Sequence, residues 1–173
     1  MPTVRRVIVG VHGSVGSLQA LRHAADEARQ RDVPLLPVTA WVPPGGEVAE
    51  RRHASPYLRK IWREDAWKRL WAAFDAGLGG VPADVLVEPH VDRGEPGPVL
   101  VDIAGQPDDL LIIGTGRRAG LTRALHRSVS RYCLAHARCP VLAIPPSALM
   151  DEMGRGLRWQ LRRHALIPDS PEA

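Results

Sequence analysis

The hydrophobic positions of this chain form short apolar runs, which alternate with longer segments where apolar residues recur every three or four positions. Short runs bounded by turn residues are typical of strands that are buried on both faces of a parallel sheet. We therefore predict five strands, at residues 5–11, 35–42, 85–91, 110–113 and 141–144. Pro37 cannot donate a ladder hydrogen bond, so we expect the second strand to start late or to lie toward the edge of the sheet.

The segments between these runs have the periodicity of amphipathic helices. We predict helices at residues 17–31, 57–77 and 99–104, and a fourth that begins with Ser128 as its N-cap. Residues 43–56 contain several prolines and glycines and are predicted to be a mobile connection. The core stripe predicted for the second helix consists of Trp67, Leu70, Trp71, Phe74 and Leu78.

The order of these elements predicts the fold class. Strands that alternate with helices give an α/β protein, here a five-stranded parallel sheet with helices on both faces. In such doubly wound sheets, ligands bind at the carboxyl ends of the strands, where the strand order reverses. The loops around His12 and Gly114 follow the first and fourth strands. We expect these two loops to meet in that crevice.

The amino-acid composition excludes several classes of protein for this chain. The 173 residues, of which 45% are hydrophobic, suit one domain with a sizeable core. No apolar run approaches the roughly 18 residues of a membrane span, so we expect no membrane association and a cytoplasmic location. Cys133 and Cys139 form neither a disulfide framework nor a metal set. We expect both to pack as small apolar residues.

The charge is unevenly distributed. The net charge is +4, and between Leu110 and Met150 there is no acidic residue. The same stretch contains six arginines, at Arg117, Arg118, Arg123, Arg127, Arg131 and Arg138. A solvated basic face, a phosphate site and a surface for an acidic partner all fit this pattern.

The stretch from Gly114 to Ser128 is the strongest indication of function. It leaves a buried strand, passes a loop rich in glycine and arginine, and reaches the start of a helix. Free backbone N–H groups and the positive end of a helix dipole favour a bound anion. Glycine lets the backbone approach such an anion closely. We therefore predict an anion-binding loop.

At these residues the chain resembles the universal stress protein family, whose nucleotide-binding members carry the pattern G-x2-G-x9-G-[ST] after a buried strand. Gly114 matches the first glycine and Ser128 the final hydroxyl residue, while Arg117 and Arg127 stand at the second and third glycines. The His-Gly-Ser sequence that starts at His12 resembles the family's D-G-S-x-x-S segment, with histidine in place of aspartate. That aspartate normally faces the nucleotide and its metal.

The resemblance implies a Rossmann-like fold of the adenine nucleotide alpha-hydrolase type and a cytoplasmic stress-response protein that binds ATP, with magnesium only alongside the nucleotide. The backbone of Ala40 would pair with adenine. If the side chains of Arg117 and Arg127 occupy part of the volume that a triphosphate needs, ATP should bind weakly. If they bind phosphate instead, the loop should hold a single anion. The residues implied in nucleotide binding are Gly10, His12, Ala40, Gly114, Gly116, Arg117, Gly120, Arg127, Ser128, Val129 and Ser130.

An alternative fits the same departures from the pattern, namely a dimeric regulatory or interaction module that keeps the fold without the nucleotide. In either case we expect a homodimer through residues 140–144, from Pro140 to Ile144, because an apolar sheet edge invites pairing with another chain.

The sequence predicts no metal site of the protein's own and no catalytic residues, since it has neither a carboxylate pair nor a nucleophile–base pair. We therefore expect no enzyme, or at most weak ATP hydrolysis. No helix-turn-helix or zinc pattern predicts specific nucleic-acid binding. The resemblance covers residues 1–146. Residues 147–173 are predicted to be a C-terminal extension with a short amphipathic helix.

Overall fold

The computed structural model of the protein describes residues 3–52, 55–115 and 128–145. Five strands and five helices lie in these residues. In chain order they are β1 (Arg6–Gly10), α1 (Val15–Arg31), β2 (Leu35–Trp41), α2 (Gly46–Arg52), α3 (Pro56–Leu78), β3 (His90–Arg93), α4 (Pro96–Ile103), β4 (Asp109–Gly114), α5 (Val129–His136) and β5 (Val141–Ile144).

All five strands are parallel and form one sheet in the order β3-β2-β1-β4-β5. The chain winds from β1 outward to β3, crosses back to β4 beside β1, and continues outward to β5. The predicted fold class is therefore confirmed. The strand order reverses between β1 and β4, so the crevice expected in a doubly wound sheet lies between their carboxyl ends.

The two faces of the sheet carry separate cores, because successive side chains of a strand point to opposite faces. Val7 and Val9 of β1 pack with α1 and α3 on one face. Ile8 of the same strand packs with α4 and α5 on the other. In β4, Leu110 and Ile112 join the first core, and Leu111 and Ile113 join the second. Burial on both faces explains why these strands read as continuous apolar runs.

Helix α1 has defined caps at both ends. Ser14 is the N-cap, and its side chain accepts a hydrogen bond from the backbone N–H of Ser17 at 3.3 Å. Asp32 ends the helix in the left-handed conformation, with φ of 53°. The helix begins at Val15, two residues before the predicted start at residue 17. The N-cap is Ser14, so the residues directly after it are already helical.

Helix α3 matches its predicted span, but one member of its predicted core stripe is wrong. Leu70 and Phe74 are fully buried, whereas Trp71 is 41% exposed. Small residues fill the remaining inward positions instead, and Leu21 of α1 packs directly against Gly77. The buried face of α3 is formed by Ala66, Leu70, Ala73, Phe74 and Gly77. Trp71 lies at the margin of this face and stacks on Trp67 with 5.9 Å between ring centroids.

The third strand was predicted to start at residue 85, but β3 begins at His90. Leu35 forms an isolated bridge with Val87, and regular pairing resumes where Val38 meets His90. The equal spacing on the two chains puts Pro37 level with Pro89. Leu35 bonds to Leu86 and Glu88 through its N–H and carbonyl, so residue 37, two positions on, also faces the third strand. Pro37 has no N–H to donate there, and this interrupts the ladder. Pro37 does not move β2 to the edge, because β2 lies between β1 and β3.

The connection predicted at residues 43–56 contains the helix α2. Its sequence has no apolar periodicity that a search for amphipathic helices would detect. The predicted C-terminal helix lies outside the described residues. The division of the chain after residue 146 stays a prediction.

Candidate functional site

The carboxyl ends of β1 and β4 meet as predicted, and the backbone at Gly114 makes the contact. A Cβ atom at this position would lie 2.3 Å from the carbonyl oxygen of Gly16 and 2.8 Å from the amide nitrogen of Ser17. Both atoms belong to the first turn of α1. The end of β4 therefore packs against the start of α1 at a distance that only glycine allows. One wall of the crevice consists of this pair of backbones.

The start of α5 forms the next part of the site. The hydroxyl of Ser130 donates a hydrogen bond to the carbonyl of Gly114 at 3.2 Å, which fixes the first turn of α5 beside the end of β4. Ser128 is the exposed N-cap of this helix, and its side chain makes no capping hydrogen bond. Val129 is partly buried and packs into the core shared by α4 and α5. The hydroxyl of Ser128 is thus not used to hold the helix.

His12 is exposed and lies at the exit of β1, where its ring is held by hydrogen bonds to α1. The backbone N–H of Ser14 donates to Nδ1 at 3.3 Å, and the Ser17 hydroxyl lies 3.1 Å from the same nitrogen. Ser17 is buried and its hydroxyl also donates to the carbonyl of Ser14 at 2.9 Å. These contacts fix the position of the imidazole relative to the start of α1. They are the contacts of a positioned loop residue.

Gly10 and Ala40 complete the part of the site that the structure describes. Strand β1 ends at Gly10, and the last ladder bond beyond it runs from the N–H of Val11 to the carbonyl of Val38 at 2.8 Å. The buried hydroxyl of Thr39 donates to the carbonyl of Val11 at 3.0 Å. The half-buried Ala40 follows, so β2 extends past the end of β1 toward the crevice.

The structure thus brings Gly10, His12, Gly114, Ser128 and Ser130 to one end of the sheet, with Val129 behind them and Ala40 on the next strand. The other predicted site residues lie outside the described residues, namely Gly116, Arg117, Gly120 and Arg127.

Sequence reasoning missed a charged cluster next to this crevice. Arg93, the last residue of β3, pairs with Glu47 and Glu50 of α2 at 2.6 and 2.7 Å. Its guanidinium lies 5.8 Å from the centre of the Trp41 ring, which is close enough for a cation–π contact. Hydrogen bonds from Arg93 lower the pKa of both carboxyl groups. A Glu-x-x-Glu spacing was the available signal, but it lay in a segment predicted to be irregular.

In the ranges that the structure describes, no cluster of three or more histidine, cysteine, aspartate or glutamate residues could hold a metal ion. No helix there combines the length and the apolar composition needed to cross a bilayer.

Comparison with known proteins relates this architecture to one family. The model of the universal stress protein family matches residues 3–145. A universal stress protein of Mycolicibacterium smegmatis is 32% identical over 142 residues, which are 81% of this chain and 45% of that protein. The chain spans about half the length of the curated relatives it matches.

Solved structures agree with the fold. A universal stress protein in complex with cAMP is 24% identical, with a TM-score of 0.54 over 84% of this chain and 99% of that one. The universal stress protein from Archaeoglobus fulgidus in complex with dAMP is 22% identical. Its TM-score is 0.50 over 83% of this chain and 99% of that chain.

Proposed function

The chain belongs to the universal stress protein family, and on that premise we propose that it binds an adenine nucleotide in the crevice between β1 and β4. The observation that carries the proposal is the backbone contact of Gly114 with Gly16 and Ser17. It brings the end of β4 to the start of α1, and the hydrogen bond from Ser130 to Gly114 adds the start of α5. Helix starts and strand ends arranged in this way offer unpaired N–H groups to a phosphate.

We infer that the adenine base lies toward β2 and the phosphate toward α5. Ala40 extends past the end of β1, so its backbone can reach an adenine edge. The hydroxyl of Ser128 is free of capping and exposed, and it stands at the positive end of α5. Base and phosphate would then span the crevice from one side of β1 to the other.

The proposed ligand carries one phosphate rather than a magnesium-bound triphosphate. His12 stands where the family pattern has the aspartate that faces the metal, and a neutral imidazole or imidazolium offers Mg²⁺ no hard anionic oxygen. The related structures with cAMP and dAMP hold nucleotides of this kind. We expect magnesium–ATP to bind with a dissociation constant of about 1 mM or weaker.

Calorimetric titration with AMP, cAMP and magnesium–ATP tests the proposal, together with mass spectrometry of any nucleotide that is retained on purification. We expect Ser128→Ala to weaken AMP binding about tenfold, because a hydrogen bond to a charged phosphate is lost. The folded state should keep its stability, since Ser128 makes no side-chain cap bond.

A matched control is Ser55→Ala. Ser55 caps α3 with a bond of 3.3 Å to the N–H of Leu58, so its loss should lower the free energy of unfolding by about 1 kcal/mol without changing AMP affinity. Failure of the unmodified chain to bind any of the three nucleotides at millimolar concentration would contradict the proposed function.

A second candidate function, a dimeric interaction module, is supported by the open edge of the sheet. β5 is a terminal strand, and Leu142 on it is 38% exposed. Leu134 on the neighbouring helix α5 is 59% exposed. We propose that two copies pair about a two-fold axis through Pro140–Ile144, which would cover this apolar edge.

Light scattering at high micromolar concentration tests the pairing, with Leu142→Lys as the variant. A charge on the paired edge should shift a dimer toward monomer. The exposed Val48 on α2 provides a control substitution of the same type away from β5. A monomer mass for the unmodified chain would refute the pairing.

A further inference from the structure

Helix α2 is attached to the rest of the fold in an unusual way. Among its side chains that the structure describes, the buried one is a carboxylate, Glu50, which is 6% exposed. Its valine, Val48, is instead 67% exposed. A surface helix ordinarily docks through an apolar stripe. The described side chains of α2 therefore bury little apolar surface, and we look to other contacts to explain its position.

Ion pairs to two other elements supply those contacts. Arg93 at the end of β3 donates from Nε and Nη2 to the two oxygens of Glu47, at 3.1 and 2.6 Å. Its Nη2 also donates to Glu50 at 2.7 Å. Arg59 of α3 donates to the other oxygen of Glu50. Both oxygens of the buried carboxylate are thus bonded to arginines from outside α2.

The ion pairs that attach α2 lie next to Trp41, at the end of β2. Trp41, the last residue of β2, is 7% exposed, and its ring lies 6.4 Å from that of Trp62 and beneath the guanidinium of Arg93. The residue before it is Ala40, at the edge of the crevice. The chain enters α2 through Gly45 and Gly46, both with φ of 80° or more, where glycine is strongly favoured.

We propose that α2 (Gly46–Arg52) is a strap that is closed by charge: the pairs of Arg93 and Arg59 with Glu47 and Glu50 hold it over the ends of β2 and β3, and loss of these pairs releases it while the sheet stays folded. Elements with few buried apolar contacts open at lower free energy than the core. Opening removes both carboxylate partners of Arg93, whose guanidinium lies over the Trp41 ring next to Ala40. The strap does not depend on the nature of the ligand.

The charges around the two carboxylates determine how the strap responds to pH. Glu50 faces Arg93 from β3 and Arg59 from α3, and Glu47 faces Arg93 together with Glu50 and Arg51 of its own helix. Because hydrogen bonds from the arginines lower the pKa of both groups, closure is complete above the ordinary carboxyl range. It is lost as the pH falls through the lowered values.

Hydrogen exchange of the ligand-free chain, followed by mass spectrometry, tests the strap. In the unmodified protein the amides of α2 should exchange faster than those of β1. Glu50→Gln should speed exchange in α2 about tenfold or more, because two charge-assisted bonds become weaker neutral ones. The amides of β1 and β4 should change much less. Glu47→Gln provides a milder second variant should the first fail to fold.

The matched control is Asp65→Asn. It removes the carboxylate from an exposed ion pair with Arg69 on α3, and exposed pairs of this kind contribute little. Exchange in α2 should therefore be unchanged. Equal protection of α2 and β1 in the unmodified chain would overturn the proposal, as would unchanged α2 exchange in both glutamate variants.

Discussion

Replacement of Gly114 by alanine is the most direct test of how the crevice is built. The added methyl group would lie 2.3 and 2.4 Å from the carbonyl oxygen and carbon of Gly16 and 2.8 Å from the amide nitrogen of Ser17. Ordinary contacts of this kind are about 3.5 Å, so the end of β4 and the start of α1 would have to separate by roughly 1 Å. The colliding atoms are backbone atoms, which no side-chain rotation can move.

The expected loss of stability follows from this geometry. Overpacking of a well-packed interior costs about 1–3 kcal/mol where side chains can adjust. Here the helix itself has to shift, so we expect Gly114→Ala to lower the free energy of unfolding by about 3 kcal/mol. For a chain of this size, that corresponds to a decrease in the melting temperature of roughly 6–12 °C. The gap opened between β4 and α1 should also weaken the nucleotide binding that we propose.

Gly10→Ala is the matched control, since Gly10 ends the neighbouring strand β1. A methyl group there would meet the side chain of Leu100, with Cδ1 at 2.9 Å, and a leucine can change rotamer. We expect a loss of about 1 kcal/mol or less. Chemical denaturation of both variants, followed by circular dichroism, measures the difference. Equal stability of the two variants would refute the argument that the Gly114 contact is a fixed backbone contact.

Three further predictions follow from the packing, and each has a simple measurement. Gly77→Ala should raise the free energy of unfolding by about 0.5–1 kcal/mol, because Gly77 is inside α3 and the new methyl group would contact Leu21 at 3.4 Å; urea denaturation measures it. Asp109→Asn should cost about 2–3 kcal/mol in the same assay, because this buried carboxylate accepts from Arg6 at 2.6 and 2.9 Å; a loss under 1 kcal/mol would contradict it. Burial raises the pKa of Cys133 to about 11 and also raises that of Cys139, so iodoacetamide at about pH 8 should label neither thiol until guanidinium is added. Rapid labelling of the native protein would contradict this third expectation.

The fold was predictable because the five strands are mostly short apolar runs and the connections are of ordinary length. The positions of β1, β2, β4 and β5 followed from their apolar residues alone. Errors arose where contacts between elements decide the outcome. β3 is shortened because Pro37 of the neighbouring strand cannot donate a hydrogen bond to it, and a single-strand pattern does not contain that pairing. Trp71 lies outside the core because α3 buries the face that carries Ala66, Ala73 and Gly77, and a search for large apolar residues does not select these small ones.

The candidate site was predictable in part for a related reason. Glycine loops after strands are visible in sequence, and topology alone places their meeting point. The charged cluster of Arg93, Glu47 and Glu50 was missed, because its members come from two elements 43 to 46 residues apart in sequence. Nor does the sequence predict that α2 is held by ion pairs, since helix predictions rely on apolar periodicity.

The crevice is built mainly from backbone contacts, which depend little on the side chains that face it. Its described walls are backbone atoms of Gly114 and of the first turn of α1. The hydroxyl of Ser130, which donates to the carbonyl of Gly114, lies beside them. These backbone contacts depend on glycine and on strand order. The fold therefore tolerates changes in the side chains that face the proposed ligand. A histidine at position 12 alters the chemistry offered to a phosphate or a metal without disturbing the contact of β4 with α1. Under the proposed function, ligand choice therefore rests with a few loop side chains, and the proposed ligand spans from Ala40 to Ser128.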